Sequence, residues 1–237
     1  MVNASIVDEL RGESKDRFSI FEGSICDEDD LVADAHSKSN NELFQVVYAH
    51  RLILSFWKGS YADAEKWSEL LSSQPSSKMP KSQLIYYTFF RGVIAFRMYR
   101  DGAGDQWLGE GKKLLGKLEV WLKHSTSLFE SKVLLLKAEH CASITRNINE
   151  AISIYDASIK SARDHGFVHE QGLAYELKGK CLALTLDTNS SNCFKNAYQC
   201  YMQWGAVAKA DQILKEHKLD LPLGQFEDSR VKHGREL

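Results

Sequence analysis

The chain has 237 residues, of which 43% are hydrophobic and 26% are charged, and these values are ordinary for a globular protein. Its formal net charge of −2 argues against a broad surface for nucleic acid or for anionic membranes. The three prolines permit long uninterrupted helices. The apolar run Val133–Leu136 is among the longest and is far too short to cross a bilayer, so we expect no membrane insertion.

The cysteines and the N-terminus predict a cytoplasmic protein with reduced thiols. The first residues, MVNASIVDELRGESKDRF, contain no apolar core of signal-peptide length. The cysteine count is odd and the spacing is irregular, which argues against a disulfide framework. The cysteines are Cys26, Cys141, Cys181, Cys193 and Cys200.

Residues 1–38 are mixed and polar, and we predict a partly ordered N-terminal segment. It includes an acidic run, Asp27–Asp30. Four carboxylates in sequence could hold a hard cation, but consecutive residues converge on one point only where the backbone curls around it. A solvated loop, or the first turn of a helix, is therefore the favoured interpretation of the run.

From residue 39 to residue 217 the apolar positions recur at three- and four-residue steps, which is typical of amphipathic helices. Gly59 and Gly166 mark helix ends, and Ser60 is a good N-cap for the second helix. The Ser-x-x-Glu pattern at Ser127–Glu130 has the form of a capping box, and Asn147 with Glu150 repeats it. The predicted helices cover 41–57, 61–71, 82–99, 105–122, 127 to about 145, 147–165, 168–186, a segment after the turn 187–191 that reaches Trp204, and 207–217.

The turns between helix pairs recur at a near-regular interval. They lie at Lys58–Ser60, Asp101–Gly104, Arg146–Asn149 and Asp187–Ser191, about 43 residues apart. Such spacing is typical of helical repeats, whose units bury their apolar faces only against neighbours. We therefore predict an all-α fold in which antiparallel helix pairs stack as a tetratricopeptide-like α-solenoid. The repeat domain would span residues 39–217 and contain about four pairs, followed by a flexible tail at 218–237.

The third predicted helix, Ser82–Tyr99, is rich in aromatic residues and has two interpretations. Its rings could line a ligand pocket between repeats, which would make the protein a small-molecule sensor. A helix that is buried on more than one side explains the same crowding more simply. Core packing is therefore favoured, and the sensor remains the alternative function. The rings belong to Tyr86, Tyr87, Phe89, Phe90, Phe96 and Tyr99.

Two motif-like patterns do not fit a nucleotide or metal site. Gly104-x4-Gly109 approaches a phosphate loop, but Glu110 stands where the motif requires lysine. His165 and His169 have the i, i+4 spacing of two zinc ligands on a helix. A glycine at a predicted helix boundary separates them, so His165 is interpreted as a helix cap and His169 as an exposed residue.

No catalytic arrangement emerges from the remaining residues. The adjacent His140 and Cys141 could suggest a base and a nucleophile, but neighbouring helix residues point about 100° apart and neither has an evident orienting acid. Cys193 and Cys200 share a helix face, and buried packing is their expected role. We therefore expect no enzyme activity, no cofactor and no metal site.

Part of the chain resembles a known family. The region from Glu130 to Lys209, and more loosely residues 40–217, is similar to the helical repeats that follow a predicted ATPase module in multidomain signalling proteins. These are hybrid sensor histidine kinases that also contain a GAF domain and often a serine/threonine-kinase-like domain. The matching phrases are Glu150–Ile152 with Tyr155–Ile159, Ala162–Glu170, Gly172–Leu177, Ala197–Tyr198 with Tyr201, Trp204–Lys209 and, less closely, Phe56–Ala64.

The resemblance implies a regulatory repeat rather than a reaction, because the family's ATPase, GAF and phosphotransfer motifs have no counterpart here. It implies a non-catalytic module that binds a protein or peptide, including kinase, ATPase or GAF modules. The chain would be a fragment or a stand-alone relative of a larger protein. The contact residues, expected on the inner helices of the array, are Tyr48, Arg51, Tyr86, Arg97, Lys137, His140, Tyr175 and Lys178.

Overall fold

The computed structural model describes residues 10–12, 41–73, 81–144 and 148–220. The three longer ranges contain nine helices and no strand, so the predicted all-α class is confirmed for this part of the chain. The helices are α1 Asn41–Lys58, α2 Tyr61–Ser73, α3 Lys81–Arg100, α4 Asp105–Leu122, α5 Thr126–Ile144, α6 Ile148–Asp164, α7 Val168–Ala183, α8 Asn189–Trp204 and α9 Val207–Glu216.

Several sequence predictions fall outside the described residues. They concern the acidic run at 27–30, the cap at Asn147, and most of the two terminal segments. Within the N-terminal segment, Leu10 is buried and Gly12 lies close to Ala208 of α9. The described part of that segment therefore packs near the last helix.

The helix ends follow most of the turn residues that the sequence marks. Gly59 and Gly166 have φ angles of 77° and 75°, a left-handed conformation that favours glycine, and each follows a helix as predicted. The clearest difference is at α7, which ends at Ala183 although the apolar pattern continues to Leu186. Leu186 has a φ angle of 58° and is 92% exposed, so these last apolar residues belong to a turn.

The predicted capping box at Ser127 and Glu130 is wrong. α5 begins at Thr126, one residue before Ser127, so Ser127 lies inside the first turn and cannot take the cap position. The carboxylate of Glu130 instead accepts a 2.7 Å hydrogen bond from the hydroxyl of Ser161 in α6. Glu130 therefore joins two helices rather than closing the end of one.

Helix packing follows the order of the chain. Each helix from α1 to α8 packs against the next one, and α1, α3, α5 and α7 also pack in series, which we call the odd-helix row. Glycines permit close approach within the helix pairs. A Cβ on Gly179 of α7 would lie 2.7 Å from the ring of Phe194 in α8, and one on Gly111 of α4 would lie 2.6 Å from Phe96 in α3.

The aromatic side chains of α3 lie mainly in the core. Phe89, Phe90 and Phe96 are buried, and the ring of Phe90 lies 5.6 Å from that of Trp57 in α1. The core interpretation of these rings is therefore confirmed. Tyr86, with 40% of its surface exposed, and the half-buried Tyr99 are the exceptions.

The first helix pair also contacts the last helices of the described chain. The ring of Trp57, near the end of α1, lies 5.8 Å from that of Tyr201 and 5.6 Å from that of Trp204, both in α8. Gln212 in α9 donates a 3.0 Å hydrogen bond to the carbonyl of Lys58. The two ends of the array are therefore packed together.

Candidate functional site

Three glutamates are buried within the array, and each accepts hydrogen bonds from a cation and a hydroxyl. They are Glu139 of α5, and Glu170 and Glu176 of α7. A buried carboxylate is costly unless it is paired and hydrogen-bonded. Each of the three satisfies both conditions, and each connects separate helices, so together they fix how α3 and α5–α9 sit against one another.

Glu139 connects α3, α5 and α6. Arg100 donates through Nη1 to Oε2 of Glu139 at 3.1 Å, and the hydroxyl of Tyr155 donates to Oε1. Glu139 and Tyr155 are buried, whereas 19% of the Arg100 side chain is exposed. The carboxylate of Glu139 raises the pKa of Arg100, and burial raises the pKa of Tyr155 well above its usual value. Arg100 is therefore held in place by Glu139, with part of its side chain exposed to solvent.

Glu170 connects α7 to α5. The hydroxyl of Ser131 and the ammonium of Lys132 both donate to its carboxylate. The same ammonium donates to the carbonyl of Leu128 at 3.0 Å, and it lies 5.0 Å from the ring of Phe167. Lys132 is buried, and these contacts replace the water that its charge loses on burial.

Glu176 accepts hydrogen bonds from three side chains. Lys180 and Lys209 donate to Oε1 at 2.7 and 3.2 Å, and Tyr201 donates to Oε2 at 2.6 Å. We call these four residues the Glu176 cluster. Nζ of Lys180 also lies 3.5 Å from the hydroxyl of Tyr61 in α2. The cluster therefore lies where the first helix pair meets the last helices.

The Glu176 cluster contains two ammonium groups and one carboxylate. Burial raises the pKa of Glu176, but the charges of Lys180 and Lys209 outweigh it and leave that pKa well below its usual value. Burial lowers the pKa of Lys180 as well, yet Glu176 more than offsets this and raises it. The pKa of Lys209 is lowered because burial and repulsion by Lys180 exceed the attraction of Glu176. Lys180 and Lys209 therefore share one buried carboxylate as their counter-charge.

A cleft of about 440 Å³, the Arg100 cleft, opens at the ends of α3, α5 and α7. Arg100 is the charged member among the described lining residues, and Leu184 at the rim of the cleft is 69% exposed. The hydroxyl of Ser143 lies 2.7 Å from the carbonyl of Glu139 and 3.1 Å from that of Phe96. Among the described residues, the lining consists of Tyr99, Arg100, Ala142, Ser143, Ile148, Cys181 and Leu184.

Burial raises the pKa of Cys181, Cys193 and Cys200, so these three thiols are not activated as nucleophiles. Burial, with a contribution from the charge of Glu139, raises the pKa of Cys181 to about 11, and burial raises the pKa of Cys200 to about 11. A protonated thiol is a poor nucleophile and a poor metal ligand. Cys193 and Cys200 are buried, which confirms the packing role expected for them.

The candidate partner-binding residues lie on the odd-helix row. On α1, the ring of Tyr48 stacks on Trp67 of α2 with centroids 5.8 Å apart, and the guanidinium of Arg51 lies 4.5 Å from the centroid of the same indole. On α3, the exposed ring of Tyr86 lies 5.8 Å from the ammonium of Lys132. Tyr48 and Arg51 thus share one aromatic platform.

On α3 and α5 the candidates form ion pairs near the surface. Arg97 bonds Asp101 at 2.6 Å, one helical turn away in sequence. Lys137 bonds Glu119 of α4 at 2.9 Å, and both side chains are more than 40% exposed. Each cation is therefore tethered but remains accessible to solvent.

On α7 the candidates face α6. The hydroxyl of Tyr175 accepts a 2.9 Å hydrogen bond from Arg163, and Lys178 bonds Asp156 at 2.6 Å. These partners lie outside the candidate set, as do those of Arg97 and Lys137. Tyr48 and Arg51 lie together on α1, and Tyr175 and Lys178 lie together on α7. The eight candidate residues do not meet at one point.

His165, His169 and His140 contact other residues of the fold and are not arranged as a pair of metal ligands. Nδ1 of His165 lies 2.8 Å from the carbonyl of Ser161, so the predicted capping role is confirmed. The expected exposure of His169 is wrong, because its ring is half-buried and stacks on Trp204 with centroids 5.2 Å apart. Burial lowers the pKa of both His169 and His140, and Nε2 of His140 is buried without a hydrogen-bond partner in the described residues.

Sequence reasoning missed the buried charges. Lys132 and Glu139 occupy the same α5 stripe as Leu136, at i, i+4 and i+7, which is the spacing of a core-facing helix surface. A charge in such a stripe indicates a buried partner on another helix. The pattern reveals the charge, but it does not reveal that Glu170 and Arg100 are the partners.

Comparison with protein-family models, with curated proteins and with solved structures finds no significant match to this chain. None of the helices in the described ranges is long and apolar enough to cross a membrane. The same ranges contain no group of three or more His, Cys, Asp or Glu side chains arranged to hold a metal ion. The functional argument therefore rests on the buried carboxylates, the odd-helix row and the Arg100 cleft.

Proposed function

We propose that the chain is a non-catalytic, tetratricopeptide-like α-solenoid that binds protein partners in a signalling system. The observation that carries this proposal is the packing order, in which consecutive helices pack in turn and the odd-helix row runs through the array. Helical-repeat proteins have this order because each unit buries its apolar face against its neighbours. Their extended surfaces commonly bind peptides or domains.

The tethered side chains along the odd-helix row are suitable contact residues. Arg51 over Trp67 combines the two side-chain types that are most enriched at binding hot spots. Lys178 is held by Asp156 of α6, and a side chain that is already ordered loses less entropy on binding. Trp57 of α1 packs against Tyr201 and Trp204 of α8, so we place the partner surface at the edges of the row.

The partner class follows from the resemblance of residues 130–209 to repeats of sensor histidine kinases. ATPase, GAF and histidine-kinase modules are the partners that this resemblance suggests, either in the same chain or in separate ones. A cytoplasmic location is part of the proposal. The four described cysteines are free, which suits a reducing compartment.

Titration calorimetry of the purified chain against ATPase, GAF and histidine-kinase modules from the same genome tests the proposal. We expect one-to-one binding to at least one module, and a Lys137→Glu variant to bind about tenfold more weakly because an exposed surface cation is reversed. Lys160→Glu reverses an exposed cation on α6 and is the control, with unchanged affinity expected. Binding to none of the modules, or equal losses in the two variants, contradicts the proposal.

A second candidate function is the sensing of a small molecule, and the Arg100 cleft is the observation that favours it. Its volume of about 440 Å³ falls within the range of ligand sites. The aromatic helix contributes Tyr99 to the cleft, while Phe89, Phe90 and Phe96 are in the core. Thermal-shift screening of a metabolite library is the test. A ligand that raises Tm in the wild type but not in Leu184→Asp supports the function, and the absence of any such ligand contradicts it.

A further inference from the structure

We propose that the Arg100 cleft binds a small amphiphilic carboxylate, with the head group at Arg100 and an apolar chain along Ile148 and Leu184. This inference rests on the second candidate function, because it names the ligand class of the same cleft. Three observations carry it: a fixed cation with donors that no described residue occupies, a tyrosine hydroxyl as a further donor, and an apolar rim.

Arg100 is positioned to receive an anion. Its Nη1 is held at 3.1 Å by Glu139, and within the described residues the guanidinium makes no other hydrogen bond or ion pair. Arginine has five N–H donors in a planar fork that matches a carboxylate. Glu139 is buried behind the guanidinium and also accepts from Tyr155, so a carboxylate in the cleft would approach the cation first.

Besides Arg100, Tyr99 supplies a hydroxyl donor to the cleft. Tyr99 lines the cleft beside Arg100, and its hydroxyl makes no hydrogen bond within residues 41–73, 81–144 and 148–220. The hydroxyl of Ser143 is directed to the carbonyls of α3 and α5, which leaves its oxygen but not its proton for a ligand. The described lining residues include no carboxylate. Among these residues a cationic ligand would therefore meet repulsion from Arg100 and no negative counter-charge.

The rim of the cleft is apolar. Ala142, Ile148 and Leu184 line it, and Leu184 is one of the most exposed large hydrophobic side chains in the described chain. Ile144 and Leu186 are exposed at the ends of the same framing helices. Exposed apolar side chains grouped beside a cleft are typical of ligand sites. They would cover the hydrocarbon part of an amphiphile whose carboxylate lies at Arg100.

Titration calorimetry with three probes of equal chain length tests the proposal: octanoate, octanamide and octylammonium. We expect one-to-one binding of octanoate, with the amide and the amine at least about tenfold weaker because they lack the anion. Arg100→Lys keeps the ion pair with Glu139 but removes the fork, and it should weaken octanoate about tenfold. Leu184→Ser should weaken octanoate about threefold through the lost apolar contact. Val120→Ser changes an exposed side chain on α4 and should have no effect.

The outcomes test separately which class of ligand binds and whether it binds in the Arg100 cleft. Equal binding of the three probes, or octanoate affinity that is unchanged in Arg100→Lys, overturns the proposal that the ligand is a carboxylate. A loss of affinity in Leu184→Ser would still show that the probe binds in the cleft. Binding of none of the probes overturns the proposal, and a library screen then decides the sensor function separately. If circular dichroism shows that Arg100→Lys does not fold, Tyr99→Phe replaces it. That variant removes one donor, so unchanged octanoate affinity in it overturns the proposal.

Discussion

The indole of Trp57 lies edge-on against the phenol ring of Tyr201, with ring centroids 5.8 Å apart and ring planes at 88°. Tyr201 in turn donates a 2.6 Å hydrogen bond to Glu176. One side chain thus belongs both to the apolar contact between the ends of the array and to the buried charge cluster beneath it. A change in the charge cluster should therefore weaken the contact between α1 and α8.

Glu176→Gln should destabilise the folded chain strongly. The substitution removes the counter-charge of the buried Lys209 and of Lys180, which is 18% exposed, and breaking a buried ion pair in this way costs about 3–5 kcal/mol. Urea unfolding measures the change. Glu119→Gln is the matched control, because its partner Lys137 is exposed and the free energy of unfolding should change by less than about 1 kcal/mol. Similar losses in the two variants would show that Glu176 is not a buried counter-ion.

The stability of the chain should depend on the protonation of Glu176 in acid. The pKa of Glu176 is lower in the folded chain than in the unfolded chain, so its stabilising contribution is complete above the usual glutamate value of about 4.3. The contribution is lost as the pH falls below that value, by up to about 1.4 kcal/mol per pH unit.

Unfolding free energies measured between about pH 3 and pH 6 test this dependence. The slope against pH should be smaller in Glu176→Gln than in the wild type, since the variant lacks this titrating group. Other carboxylates titrate in both proteins, and the difference between the slopes isolates Glu176. Parallel slopes would rule out the depressed pKa.

Gly179→Ala should destabilise the protein although alanine is the better helix former. The new Cβ would lie 2.7 Å from the ring of Phe194, and overpacking of this kind costs about 1–3 kcal/mol. Gly116→Ala is the control, because nothing lies within 4 Å of its Cβ position in the interior of α4. That variant should gain about 0.5–1 kcal/mol from helix propensity. Thermal unfolding of both variants gives the signs, and a stabilised Gly179→Ala would refute the close contact between α7 and α8.

Local chemistry in the sequence was enough to predict the all-α class and many helix ends. Gly59 has the left-handed conformation expected of it. Ser60 precedes α2 as predicted, and its hydroxyl donates to Asp63 at 2.6 Å. Such features depend on a few neighbouring residues. The capping box at Ser127 failed because α5 begins one residue earlier, a shift that the pattern alone does not resolve.

The buried charges and the contact between the ends depend on residues that are distant in sequence. Nothing near Glu139 in the chain indicates Arg100, and no helical period gives the curvature that brings Trp57 to Trp204. The eight candidate contact residues are expected on inner helices because the resemblance implies a repeat surface, and a resemblance does not identify the neighbours of each side chain. Lys178 accordingly pairs with Asp156 of α6, an interaction that the sequence did not indicate.

A double-mutant cycle between Trp57 and Trp204 tests most directly whether the two ends of the array are joined. Trp57→Leu, Trp204→Leu and the double variant are compared with the wild type by urea unfolding. The rings lie 5.6 Å apart, so we predict a coupling free energy of about 0.5–1.5 kcal/mol. Losses that add to within about 0.3 kcal/mol would mean that the first and last helices do not touch, and would contradict the closed arrangement.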